Sequence, residues 1–152
     1  MTFEDVEKNI EGSILKGLYL EAFLLQSAYI EGLLKNFAEF ETWRAISYRR
    51  ELEGNVEKIV NSLRTDVTRF GFRKLIDFVH ESGFLEDKDK SALHKYREIR
   101  NNIVHSLPTK ISEKDFDVQL EKACAKGKEI MGTKVIQDIS KLNKDYEAKH
   151  RN

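Results

Sequence analysis

Proline and cysteine are almost missing from this chain of 152 residues, which holds one of each, Pro108 and Cys124, with eight glycines and a single tryptophan. One cysteine cannot close an internal disulfide, so the fold does not depend on oxidation, and a reducing cytoplasm is the expected home. Cys124 reads as a small buried apolar residue rather than a nucleophile, because no histidine lies near it in sequence. Long apolar runs are missing too. The most apolar window, residues 14–37, is broken by Lys16, Glu21, Glu31 and Lys35, which argues against a membrane span and for an amphipathic helix. The first residues carry Glu4, Asp5, Glu7 and Glu11, the wrong charge for a secretion leader. Nor is there a charge excess: 26 basic and 26 acidic side chains cancel, which weakens the case for a protein that coats nucleic acid. Metal-ligand spacing is absent around His80, His94 and His150, and Gly71 and Gly83 stand alone rather than in a phosphate-binding loop. No metal and no cofactor is expected.

What the chain does have is helical periodicity from end to end, with no strict alternation, internal repeat or Gly/Pro/Ser-rich linker. The expectation is one all-α domain over residues 1–152, a single up-and-down bundle of five or six helices. A first long helix is expected from Ser13 to Phe40, with Leu18, Ala22, Leu25, Tyr29, Leu33 and Phe37 in one stripe, widened by Phe23, Ile30 and Leu34 until the helix is central. A second is expected over 47–63 and a third over 68–82, burying Phe72, Leu75, Ile76 and Val79 and ending on a left-handed Gly83. Asp87 or Asp89 caps a fourth, covering about 88–106 and stopped by Pro108, which pushes Leu107 out of helical geometry. The last helices occupy about 112–148. Ser112 opens the first of them, with Phe116, Leu120, Ala123 and Ile130 inside; Gly132-Thr133 is the break, and Val135, Ile139, Leu142 and Tyr146 mark the second.

Charge is uneven along this frame. Residues 1–42 hold 3 basic and 8 acidic side chains, a balance of −5, while residues 43–74 hold 8 basic and 4 acidic, a balance of +4. A local basic surface from Arg44, Arg49, Arg50, Arg64, Arg69, Arg73 and Lys74 competes evenly with a scattered, solvated set. Trp43 and Tyr48 have the chemistry to stack on bases, although packing suits Trp43 better.

The most informative stretch is Arg100-Asn101-Asn102-Ile103-Val104-His105. Arginine grips a phosphate through a planar fork of N–H donors, and histidine moves a proton near neutral pH. Together they suffice to cut a phosphodiester without a metal. On an ideal helix Ala92, Tyr96, Ile99 and Ile103 face the core, and His94, Glu98, Asn101 and His105 face away. Arg100 lies on the flank of Leu93 and Val104, about 140° around from His105. The pair serves one site only through distortion, through arginine's reach, or through a second copy. His105 near a helix end would also meet exposed carbonyls that favour the charged imidazole. His94 reads as an exposed surface residue.

The segment Tyr96-Arg97-Glu98-Ile99-Arg100-Asn101-Asn102-Ile103-Val104-His105 resembles the signature of the HEPN superfamily, an arginine and a histidine separated by four to six residues with a polar residue after the arginine. The surroundings are similar as well: the run Ala22 to Lys35 (AFLLQSAYIEGLLK), then Phe70 to Ile76, then Gly83-Phe84-Leu85, so that the likeness covers about 14–107. The resemblance implies an all-α bundle, a homodimer, and a metal-independent endoribonuclease of toxin–antitoxin, phage-defence or related systems. In that reading Arg100 grips the scissile phosphate, His105 moves the proton for attack by the ribose 2′-hydroxyl, and Asn101 orients them. Arg97, Arg73 and Lys74 are the candidate RNA contacts. An antitoxin protein, nucleotidyltransferase-like or other, is a possible partner; the tyrosine that such an enzyme modifies two residues after the histidine is replaced here by Leu107. Other members of the superfamily are non-catalytic binding modules. That alternative expects the 94/98/101/105 stripe to be a contact surface for a protein or nucleotide, and Arg100 to form a structural ion pair, with Glu31 as its candidate partner.

Overall fold

In a computed structural model, residues 1–53, 67 and 69–150 are described, with side chains for 1–42, 67 and 69–150. Among the described residues there are six helices and no strand: α1 (Phe3–Leu15), α2 (Tyr19–Glu53), α3 (Phe72–Glu81), α4 (Asp87–Lys110), α5 (Phe116–Met131) and α6 (Lys134–Lys149). The all-α expectation holds. Residues 54–66, most of the expected second helix, lie outside the described residues, as do the side chains of Arg44, Trp43, Tyr48, Arg49, Arg50 and Arg64.

The expected start at Ser13 is corrected. The chain enters α1 ten residues earlier because Thr2 and Asp5 form a capping box: the Asp5 amide donates to Thr2 Oγ1 (3.1 Å) and the Thr2 amide to Asp5 Oδ2 (2.8 Å). Gly17 then turns at φ +73°, which an L side chain resists, and separates α1 from α2. The second expected helix is corrected at its start as well, since α2 runs unbroken through residue 47 to Glu53. The α3 helix begins at Phe72, not at 68, because Gly71 caps it in extended geometry. Gly83 at φ +86° ends that hairpin arm as expected.

Pro108 does not stop α4, which continues to Lys110. A proline there removes one N–H, whose acceptor would be the carbonyl of Val104 on an exposed face. Ser106 Oγ donates to Asn102 O (2.6 Å) and Thr109 Oγ1 to Ser106 O (3.1 Å), so nearby hydroxyls supply donors to this last stretch. At the other end neither Asp87 nor Asp89 is the cap residue. Glu86 is, and Asp89 Oδ2 accepts from the Glu86 amide (3.2 Å). Ser112 caps nothing; α5 starts after Asp115.

α2 is central, as its wide apolar surface implies, with α1, α3, α5 and α6 packed on it. Phe23, Ile30, Leu33 and Leu34 are wholly buried there. α3 buries the four residues expected of it, and so does α5. α6 is rotated from expectation: Ile136, Ile139, Ser140 and Asn143 face inward, while Leu142 and Tyr146 are 49% and 57% exposed. The polar inner residues explain the rotation. Ser140 meets Tyr29 Oη (2.9 Å) and Lys144 Nζ donates to Glu7 Oε2 (2.7 Å), so α6 is registered by a polar network across α1 and α2. Tyr29 Oη donates to Glu7 within the same network.

Glu7 makes this seam sensitive to acid. Burial alone would raise its carboxyl, but the hydrogen bonds from Lys144 and Tyr29 prevail and hold it below its ordinary value of 4.5. A depressed carboxylate contributes stability that is complete above the unfolded value and drains away as pH falls through the folded one. The wild-type melting temperature is therefore expected to drop between about pH 5 and about pH 3 more steeply than that of Glu7→Gln, by about 3 °C. Parallel calorimetric profiles of the two would refute the role given to Glu7.

Candidate active site

The α4 helix packs on α3 and α5. Its buried side chains are Leu93, Tyr96 and Ile103, whereas Ala92 and Ile99 are only half-buried. The core face thus lies nearer Leu93 than the periodicity alone indicates. Arg100, seven residues on from Leu93 and within about 20° of it around the helix, is drawn to the edge of the core.

That placement gives Arg100 two partners. Nη1 donates to Glu31 Oε2 of α2 at 2.6 Å, and the guanidinium lies over the Phe72 ring of α3, 4.9 Å from its centroid. The side chain is 22% exposed, so the pair is shielded but not sealed. One of five N–H donors is engaged by the carboxylate, and the planar head is oriented by the ring beneath it. Glu31 was legible as a candidate partner from its charge and its place on the central helix. Phe72 was not, since nothing in its own sequence neighbourhood links an apolar residue of α3 to a cation of α4.

His105 is exposed and has no hydrogen bond or ion pair among the described residues. Five further helical residues follow it, so it stands more than a turn before the end of α4 and beyond the reach of the terminal carbonyls. The expected placement of His105 at the helix end is therefore corrected. Asn101 is half-buried on the same side as His105. Within one protomer Arg100 is turned to α2 and α3 while His105 faces solvent; one copy does not bring the two together.

Other candidates do meet. His94, expected to be a free surface residue, is half-buried: its Nε2 lies 2.9 Å from Asp77 Oδ1 of α3, and Arg97 Nε donates to its Nδ1 at 3.4 Å. Lys90 Nζ approaches the same carboxylate (3.7 Å). Burial would raise Asp77, but the hydrogen bond from His94 and the nearby charges of His94, Lys90 and Arg73 bring it below its ordinary value. Arg73 and Lys74 are both exposed on α3, and Lys74 Nζ lies 5.8 Å from the Phe70 ring centroid. Lys90, His94, Arg97, Asn101 and His105 fall within about 80° of one another around α4 and span about 22 Å along it. The chain matches no known family model, no curated protein and no solved structure.

Cys124 takes no part. It is buried, its thiol donates to Tyr19 O (3.3 Å), and burial with the nearby Glu121 charge pushes it up to about 11, leaving it protonated. Among the described residues no cluster of His, Cys, Asp and Glu is arranged to hold a metal ion. No helix of the described residues is long and apolar enough to cross a membrane.

Proposed function

We propose that this chain is a HEPN-like, metal-independent endoribonuclease of a toxin–antitoxin or phage-defence system, acting as a homodimer. The reading rests on one observation above all: Arg100, held by Glu31 and Phe72 with donors to spare, shares a helix with an exposed His105 that has no hydrogen bond or ion pair among the described residues. The remaining N–H groups of Arg100 would receive the non-bridging phosphate oxygens and offset the charge that builds on them. His105 would take the proton of the ribose 2′-hydroxyl as its oxygen attacks phosphorus, and the same histidine of a second copy would protonate the departing 5′-oxygen. Two copies are required because a single one keeps the arginine and the imidazole on different sides of α4. Arg97, Arg73 and Lys74 would carry neighbouring phosphates.

A second reading draws on the same ion pair. Glu31 already gives Arg100 a partner, and Phe72 gives it a platform, so structure alone accounts for the residue. On that reading the α4 stripe is the contact surface of a non-catalytic protein- or nucleotide-binding module.

Incubating the purified protein with RNA in excess chelator separates the two. The nuclease reading expects Arg100→Lys and His105→Ala each to lose at least about a hundredfold in cleavage rate, with His105→Ala keeping the wild-type melting temperature because its ring is exposed and has no hydrogen bond or ion pair among the described residues. Cleavage at one shared background rate by wild type and both variants would leave only the binding module.

A further inference from the structure

The outward turn of α6 opens a groove of about 720 Å³ against α2, to which no residue of α4 contributes. Phe37 and Phe40 of α2 form one wall, and Leu142 and Tyr146 of α6 form the other. Phe3 of α1 also lines it. Phe40, Leu142 and Tyr146 are each about half exposed (49%, 49% and 57%), so large apolar side chains are left open on both walls. The Tyr146 and His150 rings stack at 4.0 Å between centroids and 21° between planes, extending the aromatic rim.

Among the described residues the polar side chains lining this groove are Asn36, Glu39, Asn143, Glu147 and His150. Glu39 and Glu147 are its carboxylates, and among the described residues no lysine or arginine side chain lines it. Glu39 has no hydrogen bond or ion pair among the described residues, and Glu147 accepts only a long bond from the Phe3 amide (3.4 Å). Half-buried carboxylates beside several aromatic faces attract positive charge twice over, by Coulomb attraction and by the negative face of each ring. An inorganic cation is not what such a wall fits, since the donors are too few and the surface is largely apolar.

We propose that the α2–α6 groove is a binding site for a small organic ammonium ion with an aryl or alkyl body. The body lies against Phe40, Leu142 and Tyr146, and the ammonium meets Glu39 and Glu147. The size agrees with a small molecule, whose sites occupy about 300–1,000 Å³. Among the described residues the lining spans about one turn of α2 and little more than two of α6. A second copy docking here about a two-fold axis would set these carboxylates against their own images. The inference is independent of the nuclease reading.

Titration of the full-length chain with 2-phenylethylammonium, followed by two-dimensional amide NMR, tests it. Saturable shifts are expected around residues 36–40 and 142–150. Neutral 2-phenylethanol is expected to bind about tenfold more weakly, and 3-phenylpropanoate not at all. Glu39→Gln and Tyr146→Ala are each expected to weaken the ammonium about tenfold, with a folded spectrum as control; Glu147→Gln replaces Glu39→Gln should that variant misfold. The proposal is overturned by an absence of saturable binding into the millimolar range, by equal affinity for all three probes, or by a glutamate variant of wild-type affinity. Shifts centred on α4 overturn it as well, as does self-association through this face that Leu142→Glu dissolves.

Discussion

Replacing Gly127 with alanine is expected to destabilise the protein by about 3 kcal/mol, although the same change in an exposed helix stabilises by about 1 kcal/mol. The reason lies across the α2–α5 contact. A Cβ at Gly127 would stand 1.7 Å from Gln26 Oε1, 2.1 Å from its Cδ and 2.7 Å from its Nε2. A flexible side chain normally swings aside from such an intrusion at small cost. Gln26 is not free to do so, because it is fully buried and uses both ends of its amide: Nε2 donates to Cys124 O (3.0 Å) and Oε1 accepts from Tyr96 Oη (3.1 Å). Moving it strands a carbonyl, a phenol and an amide away from water, at about 1–3 kcal/mol for each group left unpaired. Gly132→Ala is the control, since its nearest neighbour, Lys128 O, would be 3.4 Å away. Urea denaturation of both variants gives the comparison. The double change Gln26→Ala with Gly127→Ala is expected to lose less than the sum of the single losses, because the added methyl then occupies space the amide has vacated. A Gly127→Ala protein as stable as wild type would show that Gln26 does not hold this position.

The second large effect is expected at Tyr96. Tyr96→Ala is expected to cost about 3–5 kcal/mol, enough to threaten a domain of ordinary stability. Its ring is wholly buried and meets Phe23 at 5.6 Å between centroids, tilted by 59°. Its hydroxyl is the donor that completes Gln26, and burial keeps the phenol protonated far above its usual range. Tyr96→Phe isolates the second contribution: it keeps the ring, leaves Gln26 Oε1 without a donor, and is expected to cost about 1–2 kcal/mol. Chemical denaturation of the pair measures both. A Tyr96→Phe loss as large as that of Tyr96→Ala would mean that the hydroxyl, not ring packing, dominates. The position matters to function because Tyr96 anchors α4 one turn before Arg100, so a loosened Tyr96 also loosens the helix that carries the candidate site.

These two residues illustrate why some of the molecule was legible and some was not. The inner face of α3 was readable residue by residue, because Phe72, Leu75, Ile76 and Val79 repeat at the helical spacing and nothing polar competes for that face. On α6 the same reasoning selected Leu142 and Tyr146, and it failed there. Ser140 turns inward to meet Tyr29, more than a hundred residues away, and Asn143 can be buried beside it because its amide donates to Ile139 O in its own helix. Helix ends were misjudged where a side chain decided them. Thr2 and Asp5 form a recognisable cap signal that an acidic N-terminal stretch hid, and Pro108 fits within the last turns of α4 because the lost N–H faces an exposed side.

By itself the sequence determined the helical class, the central place of α2, and the presence of Arg100 and His105 on one helix with about 140° between them. Those are consequences of local geometry, fixed by bonds and contacts within a few residues. Only the tertiary structure decided that Arg100 takes Glu31 and Phe72 as partners, that His94 joins Asp77 and Arg97, and that Leu142 and Tyr146 face a groove rather than the core. Each depends on which helices lie side by side and at what rotation, a balance of burial and polar satisfaction struck over the whole chain at once.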